Sequence, residues 1–158
     1  MMIWPYTMFR LLAFTGARKG ELYALHWSDV DFHKNKISLQ KTLIHTNGKK
    51  QLQTSKTKSS KRVVSVDDET LVIFKKWRSQ QIQRYLKLDL SAPFQSDDKQ
   101  PIFTVYNQLK HEMDYCRLAY LNEKLKSIYL NNPEHPQINV HAFRHTPCQS
   151  VVCSRCFH

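Results

Sequence analysis

Glycine is scarce in this chain. Three glycines in 158 residues exclude a collagen-like or glycine-rich low-complexity protein. There is no long uncharged apolar run, so the sequence offers no membrane span. The apolar opening MMIWPYTMFRLLAF lacks a small-residue cleavage site and reads as a buried helix rather than an export signal. Without such a signal, the four cysteines are expected to be reduced thiols in a cytoplasmic protein, not a disulfide frame. Acidic residues are also few. Thirteen Asp and Glu face 24 Lys and Arg, a net charge of +11. That excess suits a polyanionic partner, because each neutralised phosphate releases counterions; an anionic membrane surface is the competing partner. What is present is an apolar fraction of 41%, enough for a core, at a length that favours one domain.

Periodicity gives a coarse order of elements. Residues 3–15 carry Trp4, Met8, Leu11, Leu12 and Phe14 at helical spacing, interrupted by Thr15-Gly16. A second short helix is expected in ARKGELYALHW, residues 17–27. Residues 37–45 read as a strand, 46–50 as a turn and 51–66 as two short strands around a basic tip, so 29–66 predicts one small antiparallel sheet. Asp67, Asp68 and Glu69 suit a helix start, and that helix is expected to reach about Leu90 with Leu71, Phe74, Trp77 and Ile82 inward. After a polar loop at 91–101, a helix is expected from Asn107 to about Leu130, burying Leu109, Met113, Leu118, Leu121 and Leu125. NNPEHPQ ends it, and INVHAFRHT starts a last helix.

Three stretches could carry chemistry. In TGARKGEL, Gly16 allows a sharp bend and Arg18 sits at a helix start, where its fork and the free N–H groups can hold an anion. Glu21, three residues on, faces the same side and could orient it. An ordinary surface ion pair is the alternative. SKTKSSKR places Lys56, Lys58, Lys61 and Arg62 on a hairpin, either as a solvated basic turn or as cations carried to a phosphate. In HAFRH, His141 and Arg144 share a face at i, i+3 and can address one anion, while Phe143 points into the core. Helix capping by scattered polar residues is the alternative there.

Taken together and in this order, FTGARKGELYALHWSDVDF, SKTKSSKRVVSV and HAFRHT resemble the tyrosine recombinases, most of all phage and conjugative-element integrases. The resemblance spans nearly all of residues 6–146. It implies an α+β, mostly helical catalytic domain with a small three-stranded antiparallel sheet packed against a helical bundle, incomplete at its carboxy end. It implies double-stranded DNA as partner, with no membrane, metal or cofactor. Arg18 and Arg144 match the two arginines that clamp the scissile phosphate. Lys56 matches the general acid, with Lys58 ranked second, and His141 matches the histidine that assists proton handling. Glu21 matches an acidic supporting position. Lys19, Lys58, Lys61, Arg62 and His145 are expected as further DNA contacts.

The carboxy end departs from that pattern. The family's nucleophile is a tyrosine downstream of the HxxR motif, but no tyrosine follows Arg144 here. Tyr115, Tyr120 and Tyr129 lie upstream, on or near a helix expected to form core. The chain therefore divides into a partial catalytic domain, 1–146, and a divergent tail, 147–158. Back-translating the tail with one C removed after the Thr146 codon yields HASLLFVQDA, close to how family members continue, so a frameshift is expected. A cleavage-incompetent fragment, or a DNA-binding remnant that occupies recombination sites, is the expected outcome. The tetramer that family members form on DNA is doubtful for such a chain. His145, Cys148, Cys153, Cys156 and His158 lack the paired spacing of a zinc site.

Overall fold

A computed structural model describes residues 3–54, 61–90 and 100–144. Helix α1 (Ile3–Thr15) is the centre of the molecule. Almost every side chain from Trp4 to Ala13 is buried, which is why the segment is apolar all round rather than on one stripe. It contacts α2 (Lys19–Tyr23), α3 (Asp68–Lys87), α4 (Tyr120–Asn131) and a 3₁₀ turn at Ala142–Arg144. Gly16, with φ of 59°, reverses the chain after α1, and its N–H donates to Leu12 O at 3.1 Å.

The strands follow α2 and a 3₁₀ turn at Trp27–Asp29. They are β1 (Val30–Asp31), β2 (Lys36–Leu39), β3 (Lys41–Thr46), β4 (Lys49–Thr54) and β5 (Arg62–Ser65). The single sheet expected over 29–66 divides in two. β1, β2 and β5 form a three-stranded antiparallel sheet, while β3 and β4 form a separate hairpin. The break falls at Gln40, between two strands that sequence alone joins into one. Ile37 and Leu39 face the core, and Asn47 and Gly48, both with positive φ, turn the β3–β4 hairpin.

Helix α3 begins as predicted. The Asp67 side chain accepts from Thr70 N, capping the helix, and Asp68 and Glu69 follow at its positive end. Leu71, Phe74 and Trp77 are buried as expected, but the next inward positions are Gln81 and Tyr85, with Ile82 only half-buried. Gln81 is buried because its amide is satisfied: Oε1 accepts from Trp27 Nε1 at 2.8 Å and Nε2 donates to Pro101 O and Thr104 Oγ1. Arg10 reaches from α1 to the start of α3, donating to Asp67 at 2.7 Å, Glu69 at 2.8 Å and Thr70 Oγ1 at 2.9 Å.

The long helix expected from Asn107 to Leu130 is instead a hairpin followed by a shorter helix. β6 (Thr104–Asn107) and β7 (Glu112–Tyr115) pair antiparallel, and α4 starts only at Tyr120. The cause is local. Asn107 Oδ1 accepts from the N–H groups of Leu109 and Lys110, and His111 adopts a positive φ of 49°, an arrangement that competes with helix. Leu109, expected inward, is 95% exposed at the tip. Leu121 and Leu125 are buried as predicted, and Leu118 packs on the core from the segment before α4. Tyr23 OH accepts from Leu121 N at 3.1 Å and so satisfies one free donor at the start of α4.

The β3–β4 hairpin is tied to both neighbours by polar contacts. Lys41 pairs with Asp29 at 2.8 Å and donates to His26 Nδ1 at 2.8 Å. Because that ring nitrogen accepts, Nε2 is the donor to Tyr115 OH, 2.9 Å away. Lys50 pairs with Asp114 at 2.7 Å. Among the described residues no helix is long and apolar enough to cross a membrane.

Candidate functional site

The turn after α1 delivers Arg18 to the position preceding α2. Its backbone is extended there (φ −74°, ψ 149°) and its side chain is 56% exposed. Glu21 folds back as the sequence suggested: Oε2 accepts from Arg18 N at 2.7 Å and Oε1 from Arg18 Nη1 at 3.1 Å. The carboxylate is buried, only 4% exposed. Burial alone would raise its pKa, but hydrogen bonds and charge from Arg62 and from Arg18 outweigh that and hold the carboxyl below its usual range.

The second donor to Glu21 was not foreseen. Arg62, the first residue of β5, makes a two-pronged contact, Nη1 to Oε1 at 3.1 Å and Nη2 to Oε2 at 2.9 Å. Expected as a DNA contact, it directs its fork inward. Lys61, next to it, is exposed. Lys56, Lys58 and His145, and the side chain of Arg144, lie outside the described residues.

His141 comes from the other end of the chain. It precedes the 3₁₀ turn at Ala142–Arg144, so the helix expected from INVHAFRHT is a short turn as far as residue 144. Phe143 is buried against Phe9, ring centroids 5.5 Å apart, as the sequence predicted. That anchor leaves His141 exposed on the outer side. Asn139 holds the turn: its Oδ1 accepts from Ala142 N at 2.8 Å. An Asn ahead of a short turn is a capping signal legible in the sequence.

A cavity of about 340 Å³ joins the two ends. Ala17, Arg18, Lys19, Asn122, Asn139, Val140 and His141 line it. None of them is acidic, and the polar ones offer donors: a guanidinium, an ammonium, an imidazole and two amides. Asn122 had no sequence signal, because it belongs to none of the three motifs and reaches the cavity only through the packing of α4. A larger groove of about 750 Å³ adjoins along α4, sharing Asn122, Asn139 and Val140 with the first.

The three tyrosines that the sequence places upstream of the HxxR motif on or near α4, Tyr115, Tyr120 and Tyr129, are engaged elsewhere. Tyr115 holds His26, and burial raises its phenol. Tyr120 stacks on Trp4 at 4.4 Å, and burial pushes it up to about 12. Tyr129 OH donates to Ile138 O at 3.1 Å and accepts from Ile138 N at 2.8 Å.

Comparison with known proteins agrees with this architecture. The Phage integrase family model matches residues 1–153. A tyrosine recombinase XerC-like protein of Caldanaerobacter subterraneus subsp. tengcongensis is 33% identical over 147 residues, covering 86% of this chain and 36% of that protein. The ICEBs1 integrase of Bacillus subtilis is 31% identical over 84 residues, 53% of this chain and 23% of the integrase. The chain thus spans about a third or less of the curated relatives it matches. Solved structures of the Tn1549 transposon integrase share the fold. One, in complex with transposon right end DNA, gives a TM-score of 0.64 at 22% identity, covering 90% of this chain and 44% of that one. Another, with circular intermediate DNA, gives 0.62 at 25% identity and the same coverage.

Proposed function

Because the chain belongs to the phage integrase family, the tyrosine recombinases, we propose that the cavity at Arg18 and His141 holds a backbone phosphate of double-stranded DNA, in the service of site-specific strand cleavage and rejoining. The observation that carries this is the convergence of Arg18, Lys19 and His141, from opposite ends of the chain, on one cavity without a carboxylate in its lining. The Tn1549 integrase structures, which contain DNA, support a nucleic-acid partner.

The chemistry follows from where charge develops. Attack on a phosphodiester places added negative charge on its non-bridging oxygens, and fixed cationic donors stabilise that state more than the ground state. Arg18 and Arg144 are assigned that role, with His141 assisting proton handling and Lys56 protonating the departing 5′ oxygen. Lys19, Asn122 and Asn139 add donors at the rim. Glu21 keeps Arg18 in place. A backbone phosphate of DNA as the ligand places the protein's work in the cytoplasm, where that DNA is. Tyr115, Tyr120 and Tyr129 are bound into the fold, and none of them is assigned as the nucleophile.

Fluorescence anisotropy with a labelled DNA duplex of mixed sequence tests the reading. Arg18→Ala is expected to weaken binding about tenfold and to lower the salt dependence by about one phosphate contact. Lys76→Ala, on the exposed face of α3, is the control with little effect. Equal losses would make Arg18 one more surface charge and defeat the proposal. A duplex nicked beside a potential scissile phosphate, resolved on a denaturing gel, is expected to give no covalent adduct. An adduct would show that a nucleophile exists in the chain.

A further inference from the structure

Resting on the phosphate-binding reading, we propose that Arg62 is a positioning residue: it takes up the charge of Glu21, so that Arg18 stays net positive and aimed at the cavity. The geometry is unusual in its completeness. A carboxylate has about four acceptor directions, and at Glu21 all four are filled. Oε1 receives Arg18 Nη1 and Arg62 Nη1, both at 3.1 Å. Oε2 receives Arg18 N at 2.7 Å and Arg62 Nη2 at 2.9 Å. Arg62 has the forked, two-oxygen contact, whereas the Arg18 side chain makes a single one.

Exposure orders the three groups. Glu21 is 4% exposed, Arg62 28% and Arg18 56%. The buried carboxylate sits behind, the forked arginine covers it, and the arginine that lines the cavity is the outermost. Two guanidinium groups and one carboxylate leave one net positive charge, and it resides where an anion can reach it. Without Arg62, Arg18 and Glu21 would form a neutral pair, and an incoming phosphate would meet the field of the buried Glu21 carboxylate at short range. Arg62 also links the two elements mechanically. Glu21 is on α2 and Arg62 opens β5, and its Nη2 lies 3.5 Å from Gly16 O, at the turn that aims Arg18.

A direct phosphate contact by Arg62 is the competing role, and charge bookkeeping separates the two. Binding of the same labelled duplex is measured for Arg62→Gln, Glu21→Gln and the Glu21→Gln/Arg62→Gln pair, with thermal unfolding as the check on folding. Arg62→Gln is expected to lose about tenfold in affinity, since it leaves Arg18 neutralised. The paired variant removes the carboxylate as well, and most of the lost affinity is expected to return. If the pair binds as weakly as Arg62→Gln, Arg62 acts on DNA itself and the proposal fails. Should Arg62→Gln not fold, the pair is compared with Glu21→Gln: equal affinity supports positioning, and a further loss overturns it. In the Arg18→Ala background, Arg62→Gln is expected to change little, because its effect passes through Arg18; additive losses would count against it. If Arg18→Ala itself binds like wild type, the phosphate reading fails first, and that outcome is distinct from the others.

Discussion

Gly20 and Thr42 meet with no room for a side chain between them. A Cβ on Gly20 would lie 2.5 Å from Thr42 Oγ1 and 3.0 Å from the carbonyl oxygen of Leu43. Helix α2 therefore rests its backbone on β3, and this contact sets how far Arg18 and Glu21 stand from the sheet. Gly20→Ala should improve helix propensity by up to about 1 kcal/mol, yet overpacking against backbone costs about 1–3 kcal/mol. The expected net result is a loss of about 1 kcal/mol in chemical unfolding, with weaker duplex binding as α2 is pushed from β3. A stabilised Gly20→Ala with unchanged binding would show that the contact is slack.

Asn139 has two separable roles, a cap on the turn at Ala142–Arg144 and a wall of the cavity. Asn139→Ala should cost about 1 kcal/mol, the usual cost of a lost cap, and Asn139→Ser should retain most of the stability. Asn139→Asp keeps the capping oxygen but adds a negative charge beside Arg18 and His141. It should unfold near the wild-type midpoint and bind duplex DNA several-fold more weakly. Equal binding by the Ser and Asp variants would place the bound phosphate away from this wall.

Acid should weaken the fold through three carboxylates. Burial alone would raise Glu21, Asp29 and Asp67, but each is held below its usual range by its partners: Arg62 and Arg18 for Glu21, His26 and Lys41 for Asp29, Thr70 and Arg10 for Asp67. A depressed pKa means that the unfolded chain binds protons first, so the stabilisation is complete above the ordinary carboxylate value. It disappears as pH falls through the folded value. Urea midpoints should therefore be flat near neutrality and fall from about pH 5 downward. Asp67→Asn should make that fall shallower, at the expense of stability at pH 7. A midpoint indifferent to pH between 5 and 3 would contradict the hydrogen-bond network.

Much of the site was legible because its parts are local. The Gly16 bend, Arg18 at a helix start and Glu21 three residues on depend only on neighbours in the chain. So does the placement of Phe143 inward with His141 outward. The Asp67 cap and the helix it opens were readable for the same reason. The hairpin at 104–115 resembles helix in the sequence because Leu109 and Met113, and separately Leu118, Leu121 and Leu125, fall at helical spacing; the five-residue step between the two sets breaks the stripe, and the turn at Asn107 decides the backbone.

By itself, the sequence determined the starts of α1 and α3, the basic excess and the three motifs, each written in a few consecutive residues. Only the tertiary structure decided that the strand breaks at Gln40, that Arg62 turns inward to Glu21, and that Asn122 and Asn139 join Arg18 and His141 around one cavity. The reason is physical. A capping bond or a helical stripe is fixed by atoms a few residues apart, whereas a shared carboxylate or a cavity wall exists only once the core around α1 has brought distant segments into contact.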